Sequence, residues 1–191
     1  HQTDDYCLKL AETDAEREAV ERLRWQVFVE EMGATAPEGS PGRERDAFDD
    51  HADHLILTDR RAQNPDTAGV GVYRLMRGEA AQAGLGFYSA GEYDLEPLMA
   101  TGRPLLELGR SCIAPGHRGG TALRLLWLGL ADYVTRHGTE LLFGVASFPG
   151  TDPAPFAPSL AYLHRTHRAA PELRAVAHGP QAIALDPDPA A

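Results

Sequence analysis

One carboxylate, one guanidinium and one glycine stand inside an apolar run, Leu105-Leu106-Glu107-Leu108-Gly109-Arg110-Ser111-Cys112-Ile113. Burying either charge without a partner is costly, so their presence points to a place where a proton is taken or a developing anion is met. The run is followed by Ala114-Pro115-Gly116-His117-Arg118-Gly119-Gly120-Thr121, a tight glycine-rich turn opening onto an amphipathic segment. Strand, turn and helix in that order offer free amides and a positive helix end to an anion such as a phosphate. Glu107 is the candidate general base. In a regular strand it and Arg110 face opposite sides, but a bulge at Gly109 would bring them to one face and release backbone N–H groups as oxyanion donors. Without chemistry, the same two residues form a buried structural ion pair.

Other residue types with chemical potential lie earlier in the chain. Arg24 and Phe28 are four apart and share a helix face, and Asp46 and Asp49 lie in the loop that follows. Those acids suit a cationic amino acid whose carboxylate an arginine meets; by composition alone they suit a solvated loop equally well. His51 and His54 beside Asp49, Asp50 and Asp53 have the look of a metal cluster. His-x-x-His at the edge of a strand sends its nitrogens to opposite faces, so no metal is expected. Cys112 near His117 has the residue types of a thiol nucleophile, although a cysteine there reads more simply as a small buried apolar side chain.

The elements that must position these groups follow from periodicity. Thr13 with Glu16 fits a capping box, and Val20, Leu23 and Val27 recur at helical spacing, which predicts a helix over Asp14 to Met32. Residues 34–53 are rich in glycine, proline and charge and form a long loop. His54 to Thr58 and Val70 to Met76 read as the two strands of a hairpin. The stretch Gly78 to Gly91 is small and irregular, and a short helix is expected within Asp94 to Thr101. Leu123, Leu126, Trp127, Leu130 and Val134 form one apolar stripe ending at Arg136-His137-Gly138, a helix with its basic last turn and glycine stop. Leu141 to Ser147 reads as a strand, Phe148 to Pro158 as a proline-rich crossing, and Leu160 to Arg168 as a last helical piece. Strand, crossover helix, strand around Gly120 to Leu141 predicts a parallel pair within a mixed α/β (α+β) sheet flanked by helices.

Composition narrows the class. The 191 residues read as one domain, 1–191, with a disordered tail at 186–191. A formal charge of −10 repels nucleic-acid phosphates and favours basic partners or small cations. Two cysteines, Cys7 and Cys112, are too few for a disulfide scaffold and fit a reducing cytoplasm. No apolar run approaches the ~18 residues of a membrane span, so at most a peripheral membrane contact is expected.

The element order, with its glycine turn after the central strand, resembles the GNAT superfamily of N-acyltransferases. Within it, Leu108-Gly109-Arg110-Ser111-Cys112, His117-Arg118-Gly119-Gly120, Leu142 to Pro153 and Gly86-Phe87-Tyr88-Ser89-Ala90-Gly91-Glu92-Tyr93-Asp94 resemble the L-ornithine N-alpha-acyltransferases that make lyso-ornithine lipid. A more distant resemblance, through Arg24 with Phe28, Asp46 with Asp49, Arg74, and Glu107 with Arg110, is to acyl-homoserine-lactone synthases.

These resemblances imply a GNAT-like fold and an enzyme that moves a 3-hydroxyacyl chain from acyl carrier protein to the α-amine of ornithine. No permanently bound cofactor is implied; the phosphopantetheine of the carrier is the donor arm. Glu107 and Arg110 are then catalytic. His117, Arg118, Gly119, Gly120, Thr121 and Arg124 bind the donor, with Arg118 and Arg124 as a basic patch for the acidic carrier. Arg24, Phe28, Asp46, Asp49 and Arg74 bind the acceptor, and Tyr162 is a candidate to protonate the leaving thiol. The superfamily's usual turn begins with Arg or Gln where this chain has His117, which weakens the pyrophosphate cradle and favours a carrier over free coenzyme A. Family members usually continue past the position of Ala191 with further sheet, which implies a truncated C-terminus. The competing functions are an acyl-homoserine-lactone synthase, which needs a site for S-adenosylmethionine, and a non-catalytic acyl-carrier or lipid-binding module. A cytoplasmic location is expected, with peripheral contact at the inner membrane through the lipid product.

Overall fold

The computed structural model describes residues 1–36, 39–64, 68–148, 150, 152–180 and 182–183. The expected tail at 186–191, and Pro149 and Thr151 of the proline-rich crossing, lie outside them. The chain divides into two compact units, His1–Phe87 with Pro104–Gly144, and Tyr88–Arg103 with Val145–Ala191.

The first unit is built on a five-stranded mixed sheet. It opens with β1 (Tyr6–Leu10), a strand that the hydrophobic pattern did not announce because only Leu8 of its five residues is fully buried. Helix α1 (Asp14–Arg24) starts on the expected capping box: Thr13 accepts from the Glu16 amide, and the Glu16 carboxylate accepts from the Thr13 amide. The predicted helix to Met32 is present but changes type. Beyond Arg24 it widens into a π-helix, Trp25–Glu31, which Gly33 ends at φ +74°. The hairpin is β2 (Asp53–Asp59) and β3 (Gly69–Arg77), paired antiparallel from Asp53↔Leu75 to Thr58↔Gly69. Next come a short α2 (Gly78–Ala83), where an irregular stretch was expected, and, after the second unit's β4 (Tyr93–Asp94) and α3 (Glu96–Met99), the central β5 (Leu105–Ile113).

Helix α4 (Gly120–His137) carries the chain over to β6 (Leu141–Phe143), which pairs parallel with β5 as the crossover predicted. The strand is shorter than the expected Leu141 to Ser147. At Gly144 the backbone passes so close to Leu108 that a Cβ there would lie 2.2 Å from the Leu108 carbonyl oxygen, and the ladder has already stopped at Glu107↔Phe143. The sheet order is β1-β2-β3-β5-β6.

Each face of the sheet has its own core. Leu125, Leu126, Leu130 and Tyr133 of α4 pack on Leu55, Leu57, Leu75 and Leu106. Ala19, Val20, Leu23 and Val27 pack on Ile56, Val72 and Cys112 of the other face. Each fully buried leucine or isoleucine here contributes about 2 kcal/mol, so the two helices are fixed on the sheet before any polar contact is counted. Gly129 lets α4 lie close to β1, since a Cβ there would meet Leu8 Cδ2 at 2.4 Å.

The second unit pairs β4 antiparallel with β7 (Val176–Ala177) and holds α3 and α5 (Ala157–Thr166). Phe148 and Phe156 pack their rings 4.6 Å apart within it.

Candidate functional site

The register of β5 against β3 shows how the central strand presents its charges. Gly109 stands opposite Arg74 and Cys112 opposite Val72, so β5 spends Arg110 and Ser111 where β3 has Tyr73 alone. That is a bulge one residue beyond the expected Gly109, and the residue in the left-handed region is Arg110 itself, at φ +49°. Leu106 and Leu108 belong to the α4 side, so alternation puts Glu107 and Gly109 on the α1 side. After the bulge, Arg110 and Cys112 return to that same face, where Arg110 meets Glu44 and Asp46. The bulge therefore brings Glu107, which is 5% exposed, and Arg110 to one face.

Arg110 belongs to a network of three arginines and three carboxylates. Arg24, fully buried at the end of α1, clamps Asp49 with both terminal nitrogens at 2.8 and 2.7 Å. Its Nε donates to Glu44 Oε2, and Nη2 also donates to the Glu44 carbonyl at 2.7 Å. Arg74 Nη1 donates to Asp46 at 2.6 Å and to Asp49 at 3.1 Å, and its guanidinium lies over the Phe48 ring. Arg110 donates through Nε to Glu44 Oε1 at 3.0 Å and through Nη2 to Asp46 Oδ2 at 2.9 Å.

The acids themselves are set by local structure. Asp46 caps the 3-10 turn Ala47–Asp50 by accepting from the Phe48 amide, and Asp49 reaches back to the Asp46 amide. Burial alone would raise the Asp49 pKa, but hydrogen bonds and charge from Arg24, the Asp46 amide and Arg74 hold it well below the usual carboxylate range. Arg24 is desolvated too, yet Asp49 and Glu44 keep its guanidinium charged.

Every carboxylate oxygen of Glu44, Asp46 and Asp49 already takes a protein arginine. Asp46 and Asp49 are thus counter-ions of Arg24, Arg74 and Arg110, where the loop's acidity suggested open receptors for a cationic side chain. Glu44 was not expected at all; the alternation Arg43-Glu44-Arg45-Asp46 reads the same for a solvated loop as for a buried one. Phe28, on the π-helix, is partly buried against the α1-side core.

The glycine turn is also modified by contacts that sequence spacing does not reveal. His117 Nδ1 hydrogen-bonds the Tyr6 hydroxyl at 3.0 Å. Arg118 is not an open member of a basic patch. It forms a bidentate pair with Glu31 at 2.6 and 2.5 Å and donates to the Ile113 carbonyl, joining the turn to the end of the π-helix. Gly119 caps α4 without a side chain, Thr121 is exposed on the first turn, and Arg124, also exposed, makes no ion pair with any described residue. Burial pushes the Cys112 thiol up to about 12, which leaves it protonated and excludes a thiolate nucleophile at neutral pH. His54 is buried with Nε2 on the Asp49 carbonyl, burial lowers its pKa, and the His51 ring packs against Gly84. No group of three or more metal-ligating side chains occurs among the described residues. Tyr162 lies exposed on α5 of the second unit.

An acid and an arginine thus share one face of the bulged central strand, ahead of a glycine turn and a helix, in a mixed sheet of acyltransferase-type fold. Residues 23–128 match the acetyltransferase (GNAT) domain family, and the chain belongs to it. It is 49% identical over 172 residues to the L-ornithine N(alpha)-acyltransferase of Rhodobacter capsulatus and 44% identical over 188 residues to that of Brucella abortus. These matches cover 88% and 94% of the chain and 66% of each relative, so the chain spans just under two thirds of the length of those curated relatives. Among solved structures, the acyl-homoserine lactone synthase BjaI is similar in fold over 90% of this chain and 81% of its own, with a TM-score of 0.56 and 17% identity. The AHL synthase LasI is similar over 74% and 72%, with a TM-score of 0.52 and 16% identity.

Proposed function

We propose that this chain carries the catalytic centre of an L-ornithine N-alpha-acyltransferase that takes a 3-hydroxyacyl chain from acyl carrier protein and yields lyso-ornithine lipid. The observation that carries the proposal is the placement of Glu107 and Arg110 on one face around the β5 bulge, where the ladder to β6 has ended. The names of relatives 40–49% identical to it support ornithine as the acceptor.

In this reading Arg110 meets the acceptor carboxylate, and Glu107 takes the proton of the α-amine, directly or through one water. The amine nitrogen attacks the thioester carbonyl carbon, amides of β5 beyond Glu107 stabilise the oxyanion, and collapse expels the pantetheine sulfur, which is protonated as a thiol. Arg24, Arg74, Asp46 and Asp49 hold the acceptor side rigid, and Phe28 gives it an apolar wall. The amides of Gly119, Gly120 and Thr121 at the start of α4 receive the phosphate of the donor arm, and Arg124 supplies charge toward the acidic carrier. The reaction takes place in the cytoplasm, with peripheral contact at the inner membrane where the product is delivered. No helix among the described residues is long and apolar enough to cross a membrane.

The test is mass spectrometry of products after mixing the chain with 3-hydroxyacyl carrier protein and ornithine, lysine or S-adenosylmethionine. N-acyl ornithine with amine-dependent thiol release is expected. An acyl-homoserine lactone supports the synthase reading instead, and thiol release without any amine product supports neither.

A further inference from the structure

The residue that ties the buried arginine to the bulge is Glu44, and nothing in the spacing of the sequence marks it. Its backbone amide donates to the Glu21 carbonyl of α1, its own carbonyl accepts from Arg24 Nη2, and its Oε2 accepts from Arg24 Nε. Three points therefore fix Glu44 to α1, which is itself packed into the core. The remaining carboxylate oxygen, Oε1, takes Arg110 Nε at 3.0 Å.

Exposure rises stepwise along this chain of contacts, from 0% at the Arg24 side chain through 11% at Glu44 to 22% at Arg110. Arg110 is the member a ligand reaches, while Glu44 stands behind it. Arg110 also has a backbone conformation that a non-glycine residue keeps only when its surroundings over-determine it. Glu44 and Asp46 bind Nε and Nη2, so two carboxylates set the plane of the guanidinium. An arginine held in plane offers a carboxylate ligand a fixed fork, whereas a mobile one must be ordered at each binding event.

We infer that Glu44 is a positioning residue that orients Arg110 for the carboxylate of the amino-acid acceptor, and so sets the preference for an α-amino acid over a simple amine. This inference rests on the reading of Arg110 given under the proposed function. Losing the Glu44 carboxylate takes one bond from each arginine, but Arg24 keeps its two bonds to Asp49 and one to the backbone carbonyl of residue 44 inside the core, whereas the more exposed Arg110 keeps Asp46, so Arg110 loses more of its orientation.

The experiment compares ornithine with 1,4-diaminobutane, which has the same two amines without the carboxylate, as acceptors for the full chain and for Glu44→Gln. The wild type favours ornithine. In Glu44→Gln the ratio of kcat/KM for ornithine to that for the diamine falls about ten-fold or more, through a higher ornithine KM, with the donor KM and the diamine rate unchanged. A general loss of structure lowers both acceptors together and leaves the ratio where it was. If Glu44→Gln does not fold, Glu44→Asp, which keeps a charge beside Arg24 but stops a methylene short of Arg110, serves in its place. An unchanged ratio in either folded variant overturns the inference, as does failure of both to fold, since Glu44 is then a structural counter-ion. If the wild type acylates no amine, it is the reading of the reaction that fails.

Discussion

Replacing Asp49 with asparagine tests whether the arginine network holds the first unit together. Oδ1 accepts from Arg24 and Arg74, and Oδ2 accepts from Arg24 and the Asp46 amide. An amide side chain has one oxygen and one NH2 group, so whichever way asparagine is turned, its NH2 faces two donors. The substitution removes a charge from beside a fully buried guanidinium and creates that conflict as well. Breaking a buried pair by removing one partner costs about 3–5 kcal/mol. At about 3 °C per kcal/mol for a chain of this size, the melting temperature falls by roughly 10–15 °C. Thermal melting by circular dichroism at pH 7 measures this. The acid limb gives an independent check. The folded-state pKa of Asp49 is depressed, so its contribution is fully present above the unfolded value of about 3.9 and is lost as pH falls from there toward the folded value. Asp49→Asn removes this part of the acid dependence, and its melting temperature converges on the wild type's as pH drops. A loss under roughly 1 kcal/mol at neutral pH, no more than an exposed ion pair contributes, refutes the view that this network is structural.

Glu107→Gln lowers turnover by roughly 10²–10⁴ if Glu107 is the general base, with little change in melting; a near-normal rate in a folded variant assigns it a structural role. Arg124→Glu raises the KM for acyl carrier protein, more at low salt than at high, and leaves the ornithine KM unchanged; donor kinetics that ignore the reversal place the carrier elsewhere. Because Arg118 is paired with Glu31 on the surface, a double-mutant cycle between them by denaturant unfolding gives a coupling of no more than about 1 kcal/mol. Gly129→Ala drives a methyl into Leu8 and destabilises by about 1–3 kcal/mol in urea unfolding, and a neutral result means α4 shifts freely on β1.

The elements that periodicity controls were readable from the chain. The apolar spacing from Leu123 to Val134 announced a helix, and α4 stops at Gly138 with φ +60° as its glycine implied, but the face it buries is that of Ala122, Leu125, Leu126, Leu130 and Tyr133, and Leu123 and Trp127 of the expected stripe are exposed. The β2–β3 hairpin and the parallel β5–β6 pair followed for the same reason. β1 escaped because a short edge strand leaves little hydrophobic signal, and the π-helix because a change in helix type hardly disturbs apolar spacing. At the candidate site, Glu107 and Arg110 drew notice because charge is conspicuous in an apolar strand, and their sharing of one face followed from an expected bulge. Glu44 was not, because an acid within a charged loop carries no mark of burial. Arg118 was misjudged for a related reason: its partner Glu31 is distant in sequence, and only the tertiary fold brings the two together. The bulge was expected at glycine on conformational grounds, but the bonds from Arg110 to two carboxylates hold an arginine in the left-handed region instead.

The four-residue turn at Ala47–Asp50 has a thermodynamic consequence. Its reciprocal cap and its clamp by Arg24 and Arg74 order the turn and Asp46 when the protein folds. The entropy of arranging that turn is therefore settled on folding, and under the proposed function it does not weaken acceptor affinity. A site whose walls stand ready in this way binds with little further burial of surface, so association is accompanied by a small change in heat capacity. The clamped turn Ala47–Asp50 is in this sense an extension of the rigid sheet beneath it.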